Sequence, residues 1–150
     1  MKTHYKNVRS EMNTIVVGVD RSPQALMAAR KAADIAKALG AELHIVTAVM
    51  KNEVHEFGIG SDRTVVSDVD LAERDLLDIA AEFRGSVAVS TRAVRSSPAE
   101  ALCSEADRLQ ASMVVVGNKR VQGVARVLGS VAGAVAKDAP CDVYVVHTYD

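Results

Sequence analysis

The residues best placed to do chemistry lie in one stretch. Val114, Val115, Val116 and Gly117 come first, then a loop carrying Lys119, Arg120, Gly123 and Arg126, then Gly129 and Ser130 at the head of an alanine-rich segment. A β-branched run closing on glycine, a basic loop and a Gly-Ser pair describe a strand, an anion-facing loop and a helix start. Amides in the first turn of a helix lack internal acceptors, and the helix dipole leaves partial positive charge there, so such a start favours a phosphate or another anion. Glycine lets the main chain approach a ligand closely because it carries no Cβ. The chemistry indicated is binding, and no nucleophile accompanies it. A plain strand-to-helix connection, whose glycines only cap and turn, would use the same residues.

Around that stretch the candidate contacts divide by type. Ser130 and the amides of Gly129, Val131 and Ala132 suit an anion or a self-capped helix equally. Lys119, Arg120 and Arg126 could pair with phosphates, arginine bidentately and lysine as a point charge, or stay solvated. Asp20, which closes an earlier apolar run, could accept from a ligand or cap the following helix beside Ser22. His4, His44, His55 and His147 show no ligand spacing among themselves or with Cys103 and Cys141, so all four read as structural or surface and no metal site is expected. No G-x-x-x-x-G-K-[ST], G-x-G-x-x-G or G-x-S-x-G occurs. The usual phosphoryl-transfer and hydrolase kits are therefore absent, and no catalytic residue is assigned.

The elements that must position these residues alternate. Thr14, Ile15, Val16, Val17, Gly18 and Val19 form a continuous apolar run stopped by Asp20, as in a strand buried on both faces of a parallel sheet. Ser22 and Pro23 open a helix expected over 23–39, with Ala25, Ala28, Ala29, Ala32, Ala36 and Leu39 as its apolar stripe and Gly40 as its stop. A second strand is expected over 41–49, then a loop over 50–62. A helix over 64–84 would turn Val65, Val69, Ala72, Leu76, Ile79, Ala80 and Phe83 to one side. A partly alternating strand over 87–94 reads as lying nearer a sheet edge. Ser97 and Glu100 bracket Pro98 as a capping box for a helix to about Gln110, with Cys103 a small core residue. The fourth strand and the basic loop follow, then a helix over 129–138, a stop at Pro140 and a last strand over 142–147.

Strand and helix alternating at this spacing imply a parallel sheet covered on both faces by right-handed crossovers, an α/β fold of one domain. The 150-residue length agrees with one domain and a full core. With 18 Lys plus Arg against 19 Asp plus Glu, the formal charge is -1, so no global field recruits nucleic acid or an anionic membrane and any phosphate preference must be local. Aromatics at 3%, with no Trp, remove the stacking platforms of a single-strand binder. Residues 1–12 are polar and read as a frayed tail rather than a signal peptide, no apolar run approaches a membrane span, and two widely separated cysteines suit a reducing cytoplasm.

The stretch from Gly117 to Ala132, with Ala139, Pro140, Cys141, Asp142, Val143, Tyr144, Val145 and Val146 after it, resembles the C-terminal signature of the universal stress protein family. The signature of its nucleotide-binding members is a glycine, two residues, a glycine, nine residues, then glycine followed by serine or threonine. Gly117 matches the first glycine and Gly129 with Ser130 the closing pair, whereas Arg120 stands at the second glycine and only eight residues, 121–128, precede Gly129. The resemblance extends to 15–20, to the alanine-rich segment after it and to 97–100. It implies a flavodoxin-like (Rossmann-like) open sheet of five parallel strands in the order 3-2-1-4-5, over 13–150. It further implies a cytoplasmic homodimer paired through Val143, Tyr144, Val145 and Val146, and an adenine nucleotide (ATP with Mg, AMP or cyclic AMP) held as a regulatory ligand. The residues implied are Asp20, Val116, Gly117, Asn118, Arg120, Gly129, Ser130, Val131 and Ala132, with Asp20 on the ribose. Ala132 stands where many relatives have a hydroxyl donor. Arg120 and the shorter loop also fit a dimeric interaction module without nucleotide. A slow ATPase would need a base or metal-binding acid cluster that the chain does not display.

Overall fold

Ile15, Val16 and Val17 have no exposed surface, which is why their run is continuous rather than alternating. They belong to β1 (Thr14–Gly18), the middle strand of the sheet in the computed structural model, which describes residues 13–51, 53–119 and 128–148. After β1 come α1 (Pro23–Leu39), β2 (Glu42–Ala48), β3 (Val54–Phe57), β4 (Thr64–Ser67), α2 (Asp68–Ala81), β5 (Val89–Val94), α3 (Pro98–Arg108), β6 (Met113–Lys119), α4 (Ser130–Asp138) and β7 (Asp142–Thr148). Five strands form one parallel sheet in the order β5-β2-β1-β6-β7. Counted along the chain within that sheet, the order is 3-2-1-4-5, as the family resemblance implies.

Side chains alternate across the sheet and build two cores. Ile15 and Val17 enter one with Leu43, Ile45, Val115, the α1 alanines and Leu76 and Ala80 of α2, while Val16 enters the other with Val46, Val114, Leu102 of α3 and Val135 of α4. Helices therefore cover both faces. The alanine stripe of α1 lets that helix lie close on the sheet, with Ala28, Ala29, Ala32 and Ala36 fully buried.

Three local expectations are corrected. The segment 50–62 is not one loop: it holds β3 and a short 3-10 turn (Gly60–Asp62), and β3 pairs antiparallel with β4 in a separate hairpin. Consequently the helix expected from residue 64 starts at Asp68. Thr64, Val65 and Val66 are β-branched and pair as a strand, leaving Val65 59% exposed, while Ser67 caps α2 through a box with Asp70. Gly58, at φ +99, makes the hairpin turn, and a Cβ there would collide with the Asp62 carbonyl oxygen. Second, Ser97 stands at the N-cap of α3 but makes no side-chain cap bond, so the box with Glu100 does not form. Third, α3 ends at Arg108, and Gln110 at φ 50 turns the chain toward β6.

The other boundaries move by a residue or two, α4 starting at Ser130 with Gly129 before it and β7 ending at Thr148. The tail 1–12 and the loop residues Arg120, Gly123 and Arg126 lie outside the described residues.

Candidate functional site

β1, β2 and β6 end at the same side of the sheet, and the winding reverses between β1 and β6. In open α/β sheets that reversal leaves a crevice, because the connections depart to opposite faces and nothing fills the gap between them. A cavity of about 430 Å³ occupies it. Its floor is Gly18, Val19, Val46 and Val116, one wall is Pro98, Ala101 and Leu102 of α3, and its rim carries Asp20, Ser22, Gln24, Thr47 and Thr148. Mostly apolar walls with a few polar groups at the mouth suit a flat, partly polar small molecule.

Local chemistry explains the shape. Asp20 Oδ1 accepts from the Ser22 amide at 2.8 Å, and Ser22 Oγ accepts from the Ala25 amide at 3.2 Å, so the chain leaves β1 in a tight turn and enters α1 capped. Asp20 thus does take part in the helix entry, beside Ser22, while it remains exposed at the cavity mouth. Thr47 Oγ1 donates to the Val19 carbonyl at 2.8 Å and locks the ends of β1 and β2 together. Gly18 allows α3 to approach, since a Cβ there would lie 3.0 Å from both Leu102 methyls. Gly117 lines the cavity, yet a Cβ on it would meet Thr148 Cγ2 at 3.3 Å and Ala28 Cβ at 3.5 Å. Close packing of α1 and β7 therefore requires this glycine as well as any ligand does.

Of the residues expected at a site, Asp20, Val116, Gly117 and Val131 line the cavity. Ser130 and Gly129 lie exposed at the start of α4 beside it, whereas Ala132 is buried in the core between sheet and helices. The side chain of Asn118 is also buried, and its Oδ1 accepts from the Gly129 amide at 2.7 Å. That bond joins the two ends of the basic loop. The amides of Ser130, Val131 and Ala132 fall in the first turn of α4, where a helix supplies no acceptor. Arg120 is outside the described residues. The α3 wall and the end of β2 are not among the residues the sequence marks, although the strand order that the resemblance implies puts both beside the carboxyl end of β1.

A second polar locus was missed altogether. His44, 3% exposed, points from β2 into the α3 side of the sheet, with Nε2 2.7 Å from Glu105 Oε2 and Nδ1 2.7 Å from Ser90 Oγ. Arg108 grips the Glu105 carboxylate with Nε at 3.0 Å and a terminal nitrogen at 2.7 Å, and Arg92 reaches it at 3.3 Å. Burial pushes the Glu105 carboxyl up, but Arg108, His44 and Arg92 together hold it below its ordinary value. Burial pushes His44 down, against the opposing pull of Glu105. The pair is therefore a neutral imidazole on a carboxylate. No spacing rule marks it, because the residues come from three separate elements.

His55 is not merely a surface residue either. Its Nε2 lies 2.7 Å from Asp68 Oδ1, Asp68 Oδ2 accepts from the Glu53 amide at 2.9 Å, and ligand-capable atoms of Glu53, His55 and Asp68 fall within 4.8 Å of one another. Bonding to His55 holds the Asp68 carboxyl below its usual range, and the group clasps the β3-β4 hairpin to the start of α2. Cys103 and Cys141 are partly buried and packed against the α3-α4 core, and burial pushes both thiols up. They are poor nucleophiles. No described helix is long and apolar enough to cross a membrane.

A doubly wound sheet with an apolar crevice at its switch point defines a class of small-molecule-binding α/β proteins. The universal stress protein family model matches residues 11–147, and the chain belongs to that family. Universal stress protein Rv1636 of Mycobacterium tuberculosis is 32% identical over 149 residues, a match covering 93% of this chain and 99% of the relative. A solved universal stress protein in complex with cAMP is 32% identical with TM-score 0.65, covering 93% of this chain and 99% of that one. A universal stress protein from Archaeoglobus fulgidus in complex with dAMP is 25% identical with TM-score 0.64, covering 90% and 97%.

Proposed function

We propose that the crevice between β1 and β6 binds an adenine nucleotide as a regulatory ligand in a stress response. The observation that carries this reading is the coincidence of an apolar slot of about 430 Å³ with Asp20 and Gly117 at its two strand ends and the α4 amides beside it. The slot suits a base and sugar, Asp20 a ribose hydroxyl, and the start of α4 a phosphate. Relatives solved with cAMP and dAMP support an adenine nucleotide over other anions. Val116, Asn118 and Val131 would shape the slot, with Ser130 and the amides of Val131 and Ala132 on phosphate. Arg120 would add charge from the basic loop, and ATP would bring Mg.

At this crevice the protein acts by binding rather than catalysis, in the cytoplasm, as a dimer through the β7 edge. Tyr144 there is 41% exposed and Val143 and Val145 are half-buried, an apolar strand edge that invites pairing with a second copy.

One observation favours a second reading, an interaction module without nucleotide. Asn118 already takes the Gly129 amide, so one donor at the loop's end is spent inside the protein. Mass spectrometry of the denatured, purified protein separates the two. Co-purified adenine nucleotide, with a thermal shift on adding cAMP or ATP, supports the first; no nucleotide together with no shift supports the second. Phosphate release from ATP above a Gly129→Asp control would point instead to slow hydrolysis.

A further inference from the structure

Ser90, His44 and Glu105 form a hydrogen-bonded relay that nucleotide binding in the crevice does not use. The proton positions follow from the partners. Glu105 is gripped by Arg108 through two nitrogens and by Arg92 through a third, so it stays ionised and can only accept. His44 must then carry its proton on Nε2 and donate to Glu105. That leaves a lone pair on Nδ1, 2.7 Å from Ser90 Oγ, and the Ser90 hydroxyl donates to it. A serine hydroxyl bonded to an imidazole that a carboxylate orients is the arrangement that activates an oxygen nucleophile.

Access differs along the relay. His44 and Glu105 are each 3% exposed, whereas Ser90 is exposed on β5, which among the described residues has no neighbouring strand on its outer side. Arg92, two residues along the same face of β5, and Arg108 on α3 have side chains 47% exposed. Two guanidiniums, one carboxylate and a neutral imidazole leave an excess of one positive charge in the cluster that the hydroxyl joins. We propose that Ser90 is an acyl-accepting nucleophile with His44 as its general base and Glu105 as positioning residue, and that its donors are small acyl phosphates.

In the step, Ser90 Oγ attacks the acyl carbon while its proton passes to His44 Nδ1. The acyl carbon–oxygen bond to phosphate then breaks, phosphate leaves with the electron pair, and it takes the proton back from Nδ1. The products are a Ser90 ester and inorganic phosphate, with no change in oxidation state. Arg92 and Arg108 hold the anionic leaving group during the transfer.

The test is to incubate the full chain with acetyl phosphate and follow O-acetylation by peptide mass spectrometry, using the exposed Ser86 and Ser104 as internal controls. Ser90 is expected to react roughly a hundredfold faster than either control, as a positioned base provides. Reaction of Ser90 at the controls' rate overturns the proposal. His44→Gln, checked for folding by circular dichroism, should lose that advantage; a folded variant that keeps it assigns the base elsewhere and overturns the relay. If that variant does not fold, the wild-type pH profile decides. A His44 base predicts a rate that rises to a plateau with a midpoint below the ordinary histidine value of 6.5, while a rate climbing without plateau through the alkaline range is hydroxide chemistry and refutes the assignment. Arg92→Gln should slow reaction with acetyl phosphate several-fold more than with the neutral 4-nitrophenyl acetate, and equal slowing would refute the anionic donor.

Discussion

The crevice and the His44 cluster stand on the same two elements, β2 and α3, and are built in opposite ways. On the crevice side, Val46 and Leu102 offer apolar walls around an open space, and the polar groups at its rim come from turns and helix starts. On the cluster side, His44 and Glu105 fill the gap between the same strand and the same helix with charge, every member bonded to another. Glycine 18 helps make the difference. It lets the first turns of α3 come down onto β1 at Leu102, whereas three residues later Glu105 must be met by partners rather than by close packing. One helix thus serves an open crevice at its start and a satisfied polar cluster toward its end.

The sharpest way to break that contrast is Glu105→Ala. Removing one partner from a buried pair costs about 3–5 kcal/mol, and the half-exposed Arg92 and Arg108, free to rehydrate, place this case at about 3. A urea midpoint lowered accordingly, with the m value unchanged, is expected; a change below about 1 kcal/mol would mean that the cluster stabilises no more than a surface pair. The pH dependence has a definite sign. His44 has a depressed native value, so the unfolded chain binds more protons in the window below 6.5, and stability is full above that value and falls as pH falls toward the native one. Glu105 adds a second loss below 4.5. His44→Gln should flatten the upper part of the curve, as read by thermal denaturation between neutral and mildly acid pH.

Effects on the crevice side are smaller for stability and larger for binding. Gly129→Asp is expected to abolish nucleotide affinity in calorimetry, at least tenfold or about 1.4 kcal/mol, by setting a carboxylate where phosphate would meet α4, while the fold and any dimer persist. Its backbone allows the change, with φ -63 at that position, and the added Cβ would meet Asn118 Oδ1 at 3.2 Å, so the Asn118 side chain must shift by a few tenths of an ångström. Gly117→Ala is expected to do the reverse. The added methyl crowds Thr148 and Ala28, so about 1 kcal/mol of stability is lost while affinity changes little. An affinity loss without a stability loss would restore the ligand as the reason for that glycine.

How much could be read along the chain depended on where the partners of each residue sit. The strand order and the crevice at its reversal followed from alternation and from the resemblance around Gly117, Gly129 and Ser130. Helix α1 was legible from Ser22, Pro23 and Gly40 because caps act within a few residues. The hairpin was not. Thr64, Val65 and Val66 continue the apolar spacing of α2, and only pairing with Val54, His55, Glu56 and Phe57 shows them to be strand. The bond from Asn118 to Gly129 spans eleven residues and depends on the path of the loop between them.

By itself the sequence determined the layering of helices on a parallel sheet, which rests on periodicity and caps that act locally, and through the resemblance around Gly117, Gly129 and Ser130 it carried the family and, with the strand order, the position of the crevice. The tertiary structure alone decided that His44 meets Ser90 and Glu105, 46 and 61 residues away, and that Gly117 is packed by Ala28 and Thr148. Those contacts need three or more elements to arrive together, and no spacing along one chain encodes a distance across a sheet.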